Sequence, residues 1–447
     1  MFRLLSALGN AWKIPELRRR ILFTLGMLAI YEVGIFIPTP GINGKELGRI
    51  FDELAQATGG GLLNLLDMFT GGALSHATVF ALGIMPYISA TIIVETLLAT
   101  AIPSLERLRK EGPAGYRKLH QYARYATVLL AVINSFMYAI LLEKAIPAQF
   151  QAQIVLFPGM GFRLLTILTM TSGMAMIMWL AEQITERGIG NGISMIIFIG
   201  CLDAIPSDLL NTYTSLKGGA IGIIPLVLIG ILMILVTASV VLMTQGARKI
   251  PVQYAKRVVG RKVYGGQSTY IPLGFNTAGV IPIIFAQSVL SFPMTLGTFI
   301  KGEWAQNLTA MFSPGAFLYN LIYGLMIIFF AYFYTAIVIN PGDMADNMKK
   351  YGGFIPGIRP GSKTAEYIER ILTRITLPGA IFYALIAVLP TILMRSAHIP
   401  FYFGGTTLLI IVGVALDTLQ QIESHLLMRH YEGFIKKGKI SGRSGRM

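Results

Sequence analysis

TGGGLLNLLDMFTGGALSHATVFALGIMPYISATIIVETLLAT, residues 58–100, decides the fold. It holds two apolar segments with a glycine-marked joint between them. The first, Leu62 to Phe69, lies between Gly59-Gly60-Gly61 and Gly71-Gly72, and at about 1.5 Å of rise per residue it falls far short of a hydrocarbon core about 30 Å thick. It re-enters rather than crosses. The second, from about His76 to Thr100, is long enough to span as one helix. Because a short helix at membrane depth is tolerated only where protein or water surrounds it, a half-helix hinged to a full helix predicts a cavity with something sitting in it.

Composition sets the class. Hydrophobic residues make up 54% of the 447-residue chain and charged residues 13%, about half the charged share of an ordinary soluble domain; mean hydropathy is +0.63. This is an all-α polytopic membrane protein. The apolar runs lie near 21–37, 76–100, 121–142, 162–184, 192–206, 221–245, 274–300, 315–340, 371–394 and 404–427, and they predict ten spans. Residues 1–20, with Phe2, Leu4, Leu5, Leu8 and Trp12 on a helical period before Lys13 and Arg18-Arg19-Arg20, read as a short interfacial helix on the cytoplasmic side. The run 21–37 ends in Pro38-Thr39-Pro40 with no small-residue cleavage site, so it is read as a retained first span. The single Cys201 excludes an internal disulfide and reads as a small buried apolar residue.

Positive charge orients the spans. With both termini cytoplasmic, 30 of the 37 Lys and Arg fall on the inside segments, as short loops favour, and an even span count agrees. The net charge of +15 therefore requires no nucleic acid, although it leaves a basic cytoplasmic face. The external loop 203–220 divides the ten spans into halves, 21–210 and 211–428, followed by a basic tail, 429–447. Five spans per half make the second enter the membrane in the opposite sense, which permits an inverted repeat.

No HExxH, GxSxG, P-loop or His/Cys cluster occurs, so neither an enzyme nor a cofactor is expected. Glu95 and Glu182 lie within a turn or two of cytoplasmic span ends and read as snorkelling side chains. Asp417, near the middle of the tenth run, supports an alternative reading as an inverted-repeat secondary solute transporter; the bland reading is that its helix continues into the cytosol toward Arg429. A structural scaffold has only the lack of catalytic residues in its favour. Ile84 with Ile88, and Ile193 with Ile197, are each four residues apart on one helix face. Pro86 and Pro282 sit inside the second and seventh runs and predict kinks there. Two cytoplasmic loops exceed the needs of connection. Residues 246–272 alternate around Gly260 with Lys256, Arg257, Arg261 and Lys262 near the turn, predicting a basic-tipped hairpin; residues 341–370 are Gly/Pro-rich and carry Lys349, Lys350 and Arg359.

GGALSHATVFALGIMPYISATII (71–93), ITERGIGNGIS (184–194), NTAGVIPIIFA (276–286) and GIRPGSKTAEYI (357–368) together resemble the SecY family, the central subunits of protein-conducting channels for secretion and membrane insertion. The stretches sample both halves in the family's order. The resemblance implies two pseudo-symmetric inverted five-helix halves around a central pore, with residues 61–72, including Leu62, Leu63, Leu65, Leu66, Met68 and Phe69, as a re-entrant plug helix. It further implies that Ile84, Ile88, Ile193, Ile197, Ile281 and Ile410 form a pore ring. A girdle of stiff apolar side chains gates by dewetting and offers no hydrogen bonds to a passing chain. By the same resemblance the second and seventh spans form a lateral gate containing Pro86, Ser89, Pro282 and Gln287, with Ser89 meeting Gln287. Expected partners are SecE and SecG subunits, the SecA ATPase, the ribosome, signal sequences and translocating polypeptides, and membrane lipids, with the basic loops docking the ribosome or SecA. The expected location is the bacterial plasma membrane. His76 stands where the family commonly has a basic residue after GGALS, which puts a fixed charge there in doubt.

Overall fold

The computed structural model describes residues 14–50, 70–144, 157–218, 222–254, 257–259, 262–264, 268–275, 279–299, 316–397 and 405–437, with Trp12, Asp67, Ile154 and Val155. Its helices are α1 (Pro15–Ile35), α2 (Met85–Thr91, continued by a π-helical stretch Ile92–Leu98 and by Ala99–Ala101), α3 (Pro103–Lys110), α4 (Pro113–Lys144), α5 (Met160–Arg187), α6 (Gly192–Lys217), α7 (Ile223–Gln245), α8 (Ile281–Phe299), α9 (Phe317–Val338), α10 (Pro341–Lys350), α11 (Ser362–Ala397) and α12 (Gly405–Lys437). Among the described residues, six helices are long and apolar enough to cross a membrane: α4, α5, α7, α9, α11 and α12. Shorter apolar helices cover Met85–Glu95, Gly192–Asp203 and Ile281–Leu290.

The apolar faces explain the packing. One continuous core draws Leu28 and Tyr31 from α1, Tyr87 and Ile88 from α2, Ile177 and Leu180 from α5, Ile196 and Ile197 from α6, Val240 from α7, Ile284 from α8, Ile327 from α9 and Leu409 from α12. Helix α7 marks the opposite extreme. Its 20 apolar residues from Leu226 are 12% buried in their most hydropathic window, with Leu228, Ile231, Ile234 and Leu242 all exposed, as a helix facing lipid requires.

The second apolar run departs from expectation. Residues 71–84 form turns and not the first half of a spanning helix, which begins only at Met85. Backbone pairing with the end of the first span competes with i→i−4 bonding: Thr39 N donates to Ala77 O at 3.0 Å and Val79 N to Ile37 O at 2.9 Å. Gly83, at φ +55°, then turns the chain into α2, since left-handed backbone suits glycine. Pro86 accordingly stands in the first turn of its helix, where its missing N–H costs nothing, and Pro282 does the same as the second residue of α8. The expected mid-span kinks are replaced by helix starts.

Three other boundaries shift. Residues 15–20 continue directly into α1 from Pro15, so this part of the expected interfacial helix is the start of the first span; residues 1–11 and 13 lie outside the described residues. Helix α6 passes through Pro206 to Lys217, turning most of the expected loop 203–220 into helix. Helix α12 continues to Lys437, so the tail begins as helix.

The predicted basic hairpin forms. β1 (Ala247–Tyr254) pairs antiparallel with β4 (Ser268–Gly274), in a register from Ala247↔Gly274 to Gln253↔Ser268. Beyond it β2 (Arg257–Val259) pairs with β3 (Lys262–Tyr264), with Val259 opposite Lys262; Gly260 and Arg261 lie outside the described residues. The alternation in sequence did not announce a third strand: β5 (Gly353–Phe354), from the other basic loop, adds to the free edge of β1. Ile250, Val252 and Leu273 of the sheet share a core with Met348 of α10 and Ile368, Ile371 and Leu372 of α11.

Close backbone approach fixes where the turn segment lies. A Cβ at Gly173 of α5 would collide with the Val79 carbonyl oxygen, whereas one at Gly230 of α7 would meet nothing within 4 Å. Gly173→Ala should therefore destabilise the protein by about 1–3 kcal/mol through overpacking, while Gly230→Ala should be neutral or stabilising by about 0.5–1 kcal/mol through helix propensity. Thermal unfolding of the two detergent-solubilised variants against the parent checks the contrast.

Candidate functional site

The two helices expected to face each other across a seam begin alike. Gly83-Ile84-Met85-Pro86 and Gly279-Val280-Ile281-Pro282 both place glycine in the left-handed region, at φ +55° and +64°, four residues into a turn that ends on proline. In each, the residue after glycine accepts the first helical bonds: Ile84 O from Tyr87 N and Ile88 N, both at 3.1 Å, and Val280 O from Ile283 N and Ile284 N at 3.2 and 3.3 Å. Helices α2 and α8 pack against one another. A polar contact between them is Ser288 Oγ to Met85 Sδ, 3.6 Å, with the same hydroxyl donating to Ile284 O at 2.9 Å. The expected Ser89–Gln287 pair does not form. Gln287 is buried and its Nε2 has no hydrogen-bond partner, because the register sets Ser288 against α2.

The RGIGNG turn is held by side chains from several helices. Ile189 N donates to Thr24 Oγ1 of α1 at 2.9 Å, Gly190 N to Gln421 Oε1 of α12 at 2.9 Å, and Gly192 N to Thr185 Oγ1 of α5 at 2.8 Å. Asn191 caps α6, its Oδ1 accepting from Ile193 N and Ser194 N at 3.0 and 3.3 Å. These bonds fix the start of α6, and with it Ile193 and Ile197. All six isoleucines singled out from the sequence belong to the same apolar core: Ile84, Ile88, Ile197 and Ile410 are buried in it, and Ile193 and Ile281 pack against it half-buried.

Leu62, Leu63, Leu65, Leu66, Met68 and Phe69 lie outside the described residues, but Asp67 is described. Its carboxylate accepts from Ser75 N at 2.8 Å, and its carbonyl from Thr70 N and Gly72 N at 3.0 Å. Tyr138 of α4 donates to Leu74 O at 2.8 Å, holding the same turn from the other side. His76, exposed, keeps Nδ1 3.0 Å from Gly72 O and 3.1 Å from Ser75 Oγ, so the ring braces the turn.

Sequence reasoning misread Glu95 and Glu182. They do not snorkel: Glu95 Oε1 lies 2.7 Å from His120 Nδ1, and Glu182 Oε1 lies 2.6 Å from Arg124 Nε and 3.3 Å from His120 Nε2. It also overlooked Glu32 of α1 and Asp203 of α6, two carboxyl groups that meet one another beside the buried Tyr31 hydroxyl. Single acidic letters in two apolar runs were the available signal. Asp417 is exposed on α12 next to Gly279, and among the described residues no group of three or more His, Cys, Asp or Glu could hold a metal ion. The helix runs on past Arg429, as the bland reading of Asp417 required.

A family model described as SecY matches residues 78–419. The protein translocase subunit SecY of Thermotoga maritima is 43% identical over 442 residues, covering 98% of this chain and 99% of that one. The chain belongs to the SecY family. Among solved structures, it is similar in fold to a SecY protein whose plug domain is described as stabilising the closed state of the translocation channel and maintaining a membrane seal, with TM-score 0.64, 18% identity and 91% of each chain covered. Sec61 in a canine ribosome–channel complex from the endoplasmic reticulum gives TM-score 0.60 at 17% identity, again over 91% of each chain.

On the basic loops, Arg359 is exposed between Gly357 and Gly361, both at positive φ, and its carbonyl accepts from Thr364 Oγ1 at 2.9 Å. Arg257 and Lys262 lie on the paired strands below the hairpin tip; Lys256 and Arg261 are outside the described residues.

Asp67→Ala should speed hydrogen exchange of the Ser75 amide about fivefold, the factor that loss of a cap worth about 1 kcal/mol produces. Asp67→Asn keeps the acceptor and should leave exchange near the parent value.

Proposed function

We propose that this chain is a passive protein-conducting channel that passes unfolded polypeptides across a bacterial plasma membrane and releases hydrophobic segments sideways into lipid. The observation that carries the reading is the gathering of Ile84, Ile88, Ile193, Ile197, Ile281 and Ile410, from α2, α6, α8 and α12, in one apolar core. Stiff apolar side chains from four helices make a gate that excludes water when closed and grips no particular sequence when open. Ten spans in two inverted halves, 21–210 and 211–428, with both termini cytoplasmic, fit this function, and the repeated Gly-x-x-Pro helix starts of α2 and α8 support the internal symmetry. Residues 61–72 act as a movable plug hinged at Gly71 and Gly72, whose φ values are +65° and +82°. The lateral gate is the α2/α8 seam, where Ser288 and Met85 take the place first assigned to Ser89 and Gln287.

The driving force comes from partners. SecA and the ribosome dock on the basic hairpin 246–272 and on the Arg359 loop, SecE clamps the halves, and SecG completes the complex. The exposure of Arg359 on a stiff turn supports this assignment. The solute-transporter reading loses its ground, since Asp417 is exposed and stands in no cation-holding group among the described residues.

Replacing Ile84, Ile88, Ile197 and Ile410 together by Asn should raise resting ion conductance in planar bilayers, most clearly with residues 61–72 deleted, while Leu228→Asn on the lipid-facing α7 should not. Flat conductance in the deleted background would remove the ring. Arg359→Glu should lower SecA-driven translocation into vesicles several-fold while the amount of folded channel stays constant; translocation equal to the parent with SecA limiting would remove the docking role.

A further inference from the structure

Helix α2 is held very differently on its two edges. Toward α8 the shown polar contact among the described residues is the Ser288–Met85 hydroxyl–thioether approach of 3.6 Å, a weak interaction. Toward α4 and α5 stands a charged cluster. His120, on the basic end of α4 near Arg117, Lys118 and Arg124, has Nδ1 2.7 Å from Glu95 Oε1 and Nε2 3.3 Å from Glu182 Oε1. Tyr87 OH lies 3.3 Å from the same Nε2, and Arg124 Nε is 2.6 Å from Glu182 Oε1. With a carboxylate oxygen at each ring nitrogen, both nitrogens carry hydrogen and the ring is an imidazolium. Two cations and two carboxylates therefore balance, with Glu182 largely withdrawn from water at 12% side-chain exposure.

The backbone is shaped for this contact. Glu95 lies in the π-helical stretch Ile92–Leu98, a local widening of the helix that recurs at functional positions. The groups shown to reach the ring are Tyr87 and Glu95 from α2, Glu182 from α5 and, through Glu182, Arg124 of α4 itself.

We propose that His120 is a positioning residue of the lateral gate: its imidazolium clamps α2 to α4 and α5, so that the three helices move as one body and opening takes place at the α2/α8 seam alone. This rests on the reading of that seam as the gate. The clamp is also proton-dependent, because a neutral imidazole donates from one nitrogen only and leaves one carboxylate facing a lone pair. It holds while the ring is protonated and fails as pH rises through the ring's titration.

The test uses the full chain in lipid nanodiscs with spin labels at two exposed pairs, Ile93 with Val128 across α2 and α4, and Ile93 with Val289 across the seam. A synthetic hydrophobic signal-type peptide serves as the opening probe. In the parent at neutral pH the peptide should widen the seam distance while the α2–α4 distance stays narrow. In His120→Gln the α2–α4 distribution should broaden, with a separated population raised about tenfold, as loss of a charged hydrogen bond produces. Alkaline pH should broaden it in the parent and not in His120→Gln, and Glu95→Gln, a milder change, should move the same distance in the same direction. An α2–α4 distribution that His120→Gln, Glu95→Gln and alkaline pH all leave unchanged, while the seam still opens, overturns the clamp and keeps the gate. If the peptide widens neither distance in the parent, the gate reading fails, and the clamp's role in opening fails with it.

Discussion

Backbone amides that leave a helix within a bilayer have no water to bond, and the segment from Asp67 to Met85 is built around that constraint. Its donors and acceptors are met by Ile37 and Thr39 after α1, by Tyr138 of α4 and by the Asp67 carboxylate. Without these partners the turns could not sit beside spanning helices. With them, the chain passes through residues 70–84 into α2 with these backbone groups bonded, and Gly173 lets α5 close directly on the turn.

The same economy governs the gate. Side chains from α1, α5 and α12 satisfy the RGIGNG turn, so the first turn of α6 is stationed by three helices at once. Helices α2 and α8 each start from a left-handed glycine followed three residues later by proline, and α2 starts without a side-chain cap. The apolar core can then run uninterrupted across both halves, and polarity collects at its margins.

The six long apolar helices were legible because continuous apolar runs report them directly, and the basic hairpin because period-two alternation around Gly260 is a local signal. The start of α2 was not. Nothing within residues 76–84 forbids a helix; the turns come from pairing with residues 37–39, some forty positions away in sequence. Likewise Glu95 and Glu182 look like snorkelling side chains until α4 brings His120 between them. Addition of β5 to β1 joins loops about a hundred residues apart through a two-residue strand too short to show any alternation. The isoleucines were legible as pairs on a helix face, whereas their meeting in one core is a tertiary fact.

That small sheet changes how a load would travel through the molecule. The β1–β4 hairpin leaves α7 and enters α8, while β5 lies between α10 and α11; β5 pairs with β1, and one apolar core joins β1 and β4 to α10 and α11. A push at the hairpin tip is thus not absorbed by a loose loop. It acts through a bracket packed on α10 and α11, so the start of α8, which follows β4 in the chain, is coupled to α11 through the sheet.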